Sequence, residues 1–292
     1  MNKIFSILVV TTIASHALTQ ISGGAASYGQ QGRSGVEQAR ANELAKRTNR
    51  PEDGKYIEAS VLMNVLADEY VAVFGINEEG KTLDEARQKM EGAIRTFTAS
   101  LRQMKLNPAD YYVDFVAQNR IYGYVPSGDN AVREVVVGFE IKKNVIIRYK
   151  DKTLIDQLTE AASKSGIFDL VKVDYVVKDI EAVQTRLVTE AARILKRKME
   201  EQERLLGVKV GQFTGNSAPN FSIYYPADMY DSYVAQESES MEGWRQNFTI
   251  QRARKPRTFY FNGLTAKDFD SVINPVVNEP VVQFTVYVRI RY

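Results

Sequence analysis

The stretch TEAARILKRKMEEQERLLGVKVGQF, residues 189–213, decides how the chain is built. Up to Leu206 it consists almost wholly of good helix formers, and at Gly207 it stops. Val208-Lys209-Val210-Gly211 then restart an apolar, strand-like run. Gly207 can take the left-handed conformation that closes a helix and satisfies its last carbonyls, and Gly211 lets the new strand bend. Upstream, Asp179 is positioned as the cap of the same helix, whose apolar stripe is Ile180, Val183, Leu187, Ala191, Leu195, Met199 and Leu206. Arg186, Glu190, Arg193, Arg197, Glu200, Glu201 and Arg204 form its solvated face, with Arg197/Glu201 and Glu200/Arg204 spaced i,i+4.

Working outward from that helix, the pattern is strand-strand-helix-strand-strand-helix-strand-helix. Two apolar, β-branched runs flank Ala67-Asp68-Glu69 and predict a hairpin ending at Glu79-Gly80. Thr82 with Glu85 three residues on is a capping box. It opens a helix whose core face is Leu83, Ala86, Met90, Ala93, Ile94, Phe97, Leu101 and Met104, with Pro108 just past its end. YYVDFVAQNRIYGYV and REVVVGFEIKKNVIIRYKD read as strands around a turn at Pro126–Asn130. KTLIDQLTEAASKSG is a second helix ending at Gly166, and IFDLVKVDYVVKD returns as a strand. Both of these helices open with Lys-Thr-Leu, which hints at an internal duplication. The expected class is α+β: two β-α-β units, a mixed or antiparallel sheet, helices packed on one face, and one long C-terminal helix.

The chain has 292 residues, 44% hydrophobic and 25% charged, with a net charge of +2, so nothing global draws it to nucleic acid. MNKIFSILVVTTIASHALTQ has one Lys, an apolar run from Ile4 to Ala14 and small residues before a cut after Ala17, the layout of a secretory signal peptide. A retained N-terminal anchor is the alternative. There is no Cys, and the only histidine, His16, lies inside that segment. After cleavage, zinc sites, Ser-His-Asp triads and Cys nucleophiles have no residues to use. Catalysis would rest on carboxylates, Lys or Tyr, and no such constellation stands out: the expected catalytic, cofactor-binding and metal residues are none.

The run VGFEIKKNVIIRYKDKTLIDQLTEAASKSG, then VDYVVKD, then AARILKRKMEEQERLLGVKVGQF, resembles the SIMPL-domain family of bacterial periplasmic, outer-membrane and oxidative-stress-defence proteins. Gly138-Phe139, Asp151, Ala161-Ala162 with Gly166, Tyr175 with Asp179, and Leu206 to Gly211 stand in the family's order. The first half agrees more weakly, because Ala67 replaces the usual Pro and the Gly-x-Gly before it is absent. The resemblance covers residues 57–213 and a last strand at 281–292. It implies a SIMPL-like α+β fold and a place in the cell envelope, periplasmic or outer-membrane-associated, with an extracellular location left open.

The resulting division is a signal peptide at 1–17, a polar leader at 18–54 with a short helix near Val36–Arg47, a core at 55–213, a Tyr-rich insertion at 214–280, and a final strand at 281–292. The insertion contains five of the 16 tyrosines and the only Trp. Exposed Tyr, Trp and Arg dominate protein–protein contacts. Tyr224, Tyr225, Tyr230, Tyr233, Trp244, Arg252, Arg254, Arg257 and Tyr260 are therefore the candidate interface. Asp228/Asp231 and Asp268/Asp270 lack the pattern of a calcium loop and read as solvated acids or caps. The expected function is a non-enzymatic, exported, homo-oligomeric structural component that contacts its own copies or other envelope proteins, with membrane-surface association left open. A periplasmic binding module in stress defence is the alternative, and a carboxylate-based envelope enzyme the second alternative.

Overall fold

The computed structural model describes residues 35–48, 55–128, 131–207, 209, 218–234 and 257–292. The expected α+β class is what it shows. The elements, in order, are α1 (Gly35–Thr48), β1 (Tyr56–Val65), β2 (Glu69–Gly80), α2 (Leu83–Gln103), β3 (Tyr111–Pro126), β4 (Val132–Tyr149), α3 (Leu154–Lys164), β5 (Asp169–Val176), α4 (Ile180–Leu206), β6 (Asn220–Tyr224), β7 (Tyr230–Tyr233), β8 (Thr258–Phe261), β9 (Ser271–Ile273) and β10 (Val282–Arg291).

They build two four-stranded sheets rather than one. The first has the order β6-β10-β1-β9 and the second β3-β4-β2-β5, with a small β7-β8 ribbon beside them. The expected β1–β2 hairpin does not form. β1 pairs antiparallel with β10 from Tyr56↔Arg291 to Val65↔Val282, whereas β2 pairs with β4 and β5. The corner between them is held instead by the end of β5 and the connection from it to α4. The Asp68 amide donates to the Val176 carbonyl at 2.8 Å, and the Asp68 carboxylate accepts from the Lys178 amide at 2.8 Å.

β1 needs cover on both faces, because its residues are buried on both parities. Ile57, Ala59, Val61 and Met63, with Val282, Phe284, Val286 and Val288 of β10, pack on Val183, Leu187, Ala191, Ile194 and Leu195 of α4. Val183, Leu187, Ala191 and Leu195 belong to the expected stripe and Ile194 joins them, while at the stripe's ends Ile180 is 36% and Leu206 70% exposed. On the opposite face, Ser60 and Thr285 lie under α1, which the sequence placed within a residue of its observed bounds, while Asn64 and Gln283 bond to Asn274 and Leu264.

In the second sheet, Ala72, Phe74, Ile76, Ile141, Val145 and Ile147 face α2 and α3. Phe97 of α2 meets Phe74 edge-on at 5.4 Å, and Thr82 caps that helix by accepting from the Glu85 amide at 3.2 Å. Gly207 ends α4 with φ 65°, and the Asp179 side chain begins it by accepting from the Ala182 amide at 2.9 Å. The strand expected from Val208 onward lies outside the described residues.

Candidate functional site

The tyrosine-rich stretch divides between the first sheet and the ribbon. β6 pairs with β10, and β9 with β1, so both are strands of the same sheet as the final strand. Tyr224 on β6 turns inward, its hydroxyl donating to the Glu43 carboxylate of α1 at 2.7 Å. Burial, and then that carboxylate, push its phenol well above the usual tyrosine range. Tyr230 on β7 packs edge-on against Phe261, centroids 6.2 Å apart, and burial raises its phenol as well.

Tyr225, Tyr233 and Tyr260 are the outward members, 42%, 57% and 48% exposed. The β7–β8 register, with Asp231↔Tyr260 and Tyr233↔Thr258, puts Tyr233 and Tyr260 on one face of the ribbon. Arg257 is exposed beside them, while Trp244, Arg252 and Arg254 lie outside the described residues. Of the candidate interface, then, Tyr224 and Tyr230 serve the interior and Tyr225, Tyr233, Arg257 and Tyr260 are available to a partner.

Two acids of this stretch, Asp231 and Asp270, are taken internally. Asp231 accepts from the Asn262 amide group at 2.7 Å. Asp270 accepts from the Ser60 amide at 2.9 Å and from Lys198 at 2.6 Å. Under α1, Glu43 Oε1 accepts from Lys46 Nζ at 2.8 Å and from Thr285 at 2.9 Å, so a buried carboxylate and its cation bind α1 to β6 and β10. Among the described residues no cluster of three or more His, Cys, Asp or Glu is poised to hold a metal ion.

A larger exposed surface is one the sequence reading did not single out. β3 and β4 are 16 and 18 residues long, whereas β2 beside them ends at Gly80, opposite Phe139. Beyond that point β3 and β4 continue as a two-stranded arm, with Tyr122↔Val136, Tyr124↔Glu134 and Pro126↔Val132 in register. At about 3.3 Å per residue the arm is roughly 20 Å long. Gln118 on β3 pairs with the core residue Ile141, and residues two apart share a face, so Tyr122 and Tyr124 lie on the helix-bearing side of the sheet. There α2 and α3 no longer cover them: Tyr122, Tyr124, Val132 and Val136 are 52%, 72%, 67% and 44% exposed. An isolated two-stranded hairpin is marginally stable in water, and contiguous exposed apolar surface marks interaction sites. The signal in the sequence was the strand lengths together with Val135-Val136-Val137, an apolar run that abandons alternation.

Two clefts lie elsewhere among the described residues. One, of about 370 Å³, lies between Leu106, Tyr149 and Leu154, and of the charges lining it Arg148 pairs with Asp110 at 2.8 Å and Glu69 with Lys178 at 2.6 Å. The other, of about 480 Å³, lies at the end of β1 between Leu66, Arg186 and Val276. No helix among the described residues is long and apolar enough to cross a membrane.

The family model described as SIMPL, a protein of unknown function (DUF541), matches residues 57–255. No curated protein matches the chain.

Proposed function

The chain belongs to the SIMPL family, and from that premise we propose that it is a non-enzymatic, homo-oligomeric structural component of the bacterial cell envelope. Export rests on the N-terminal segment, with its short apolar run and small residues before Ala17. The observation that carries the assembly reading is the bare apolar face of the β3–β4 arm. Tyrosines at Tyr122 and Tyr124 supply large contact area at low entropic cost, and an uncovered two-stranded ribbon gains most from a partner. The exposed ribbon tyrosines Tyr233 and Tyr260 offer a second contact of the same chemistry.

The mass of the purified chain in solution tests this, beside the variant Tyr122→Ser/Tyr124→Ser/Val132→Ser. A discrete wild-type oligomer that the triple variant reduces to a smaller species, with the circular dichroism of both unchanged, supports the reading. A monomeric wild type overturns it. The 480 Å³ cleft favours one second reading, a binding module, since ligand sites fall at about 300–1,000 Å³. That reading calls for a monomer or dimer whose melting temperature rises with ligand.

A further inference from the structure

The occupant of the arm's bare face is written in its charges. On the helix-bearing side, the register places Arg120 at the root of the arm opposite Phe139, then Tyr122 with Val136, then Tyr124 with Glu134 towards the tip. Arg120 and Glu134 are exposed, and neither has a hydrogen bond or ion pair among the described residues. They sit four residues apart along β3, about 13 Å, with the tyrosine–valine pair midway between them.

Such a surface is complementary to itself. Laid face to face with a second arm running the opposite way, about a two-fold axis through the Tyr122/Val136 level, the root of each arm meets the tip of the other. Arg120 of one copy then stands over Tyr124 and beside Glu134 of the other, and the same contact repeats on the far side of the axis. The centre is apolar, with Tyr122 and Val136 of both copies excluding water around it. A parallel arrangement would leave all four charges about 13 Å from their partners, beyond a Debye length at physiological salt. With aromatic side chains burying about 150–250 Å² each when covered, the arm tyrosines and valines would make a contact towards the lower end of specific interfaces.

We propose that the β3–β4 arm is a two-fold self-association site that takes the same arm of a second copy, antiparallel and face to face, with Arg120 of each pairing with Glu134 of the other. This rests on the oligomeric reading above and specifies its contact. The test is a charge exchange followed by light scattering across a dilution series of the full chain. Arg120→Glu and Glu134→Arg alone each set like charges against one another, and each is expected to weaken self-association at least tenfold. The exchange Arg120→Glu/Glu134→Arg restores opposite charges in the reversed sense and is expected to return association to within threefold of wild type. Both residues are exposed, so the circular dichroism of all three variants should match wild type. A wild-type monomer, including one that binds anionic vesicles through the arm, overturns this proposal and the oligomeric reading together. An oligomer indifferent to both single substitutions, or one that the exchange fails to restore, overturns this pairing alone.

Discussion

Replacing Glu43 by Ala should release α1 from the sheet it covers without unfolding the rest of the molecule. The Glu43 side chain is 4% exposed and that of Lys46 10% exposed. A single oxygen, Oε1, accepts from Lys46 at 2.8 Å, Tyr224 at 2.7 Å and Thr285 at 2.9 Å. Without it, Lys46 remains a buried cation that faces, among the described residues, the hydroxyls of Ser222 and Thr285. Removing one partner of a buried ion pair costs about 3–5 kcal/mol, because the other charge is left uncompensated. The apolar side chains that α1 buries are only Val36 and Ala39, and full burial of a valine contributes about 1.5–3 kcal/mol. A 14-residue helix is also too short to persist in water by itself. The loss therefore matches what holds the helix down, and detachment is the cheaper response. Hydrogen exchange reads this directly: about 3 kcal/mol corresponds to a more than hundredfold rise in the open population, confined to α1 amides, with those of β4 unchanged. Glu43→Leu/Lys46→Met should lose less than the two single substitutions combined, since it leaves no unpaired charge. An α1 exchange rate within threefold of wild type in Glu43→Ala, or strict additivity in the double variant, would refute the reasoning.

Two further outcomes follow from the long helix α4. Glu190, held to about 2 first by the Arg193 guanidinium and also by the Ser271 hydroxyl, against the upward push of burial, is ionised more readily folded than unfolded. Its contribution, about 1–2 kcal/mol, is thus complete above the ordinary carboxylate value of 4.5 and is lost as pH falls from there towards 2. Glu190→Gln should flatten that part of an acid-unfolding curve followed by circular dichroism, and an unchanged curve would count against the contact. Gly207→Ala places a Cβ on a residue at φ 65° and should lower the urea midpoint by the equivalent of about 1 kcal/mol at constant m. No change would mean that the cap contributes nothing to stability.

How much was legible depended on how local the cause was. The caps at Thr82, Asp179 and Gly207 and the stripe Val183-Leu187-Ala191-Leu195 were readable because each depends on residues within a turn or two. The Tyr-rich stretch was legible as composition but not as orientation. Tyr224 and Tyr225 are neighbours in sequence, yet one reaches Glu43 and the other reaches solvent, because β6 pairs with β10 and alternation sends successive side chains to opposite faces. The β3–β4 arm was read correctly as two strands. That its outer third is uncovered depends on where β2 stops, and no residue of β3 records that.

The sequence by itself determined the helices, their ends, the strand-forming runs and the absence of Cys, since propensity, capping and residue chemistry act over a few neighbouring positions. Only the tertiary structure decided that β1 leaves β2 to pair with β10 at the far end of the chain, that the strands divide between two sheets, and that Tyr122 and Tyr124 stand bare. A strand buried on both parities must be covered on two sides. Which elements supply the cover is settled by the burial the whole chain can reach at once, and alternation with a period of two carries no record of the partner.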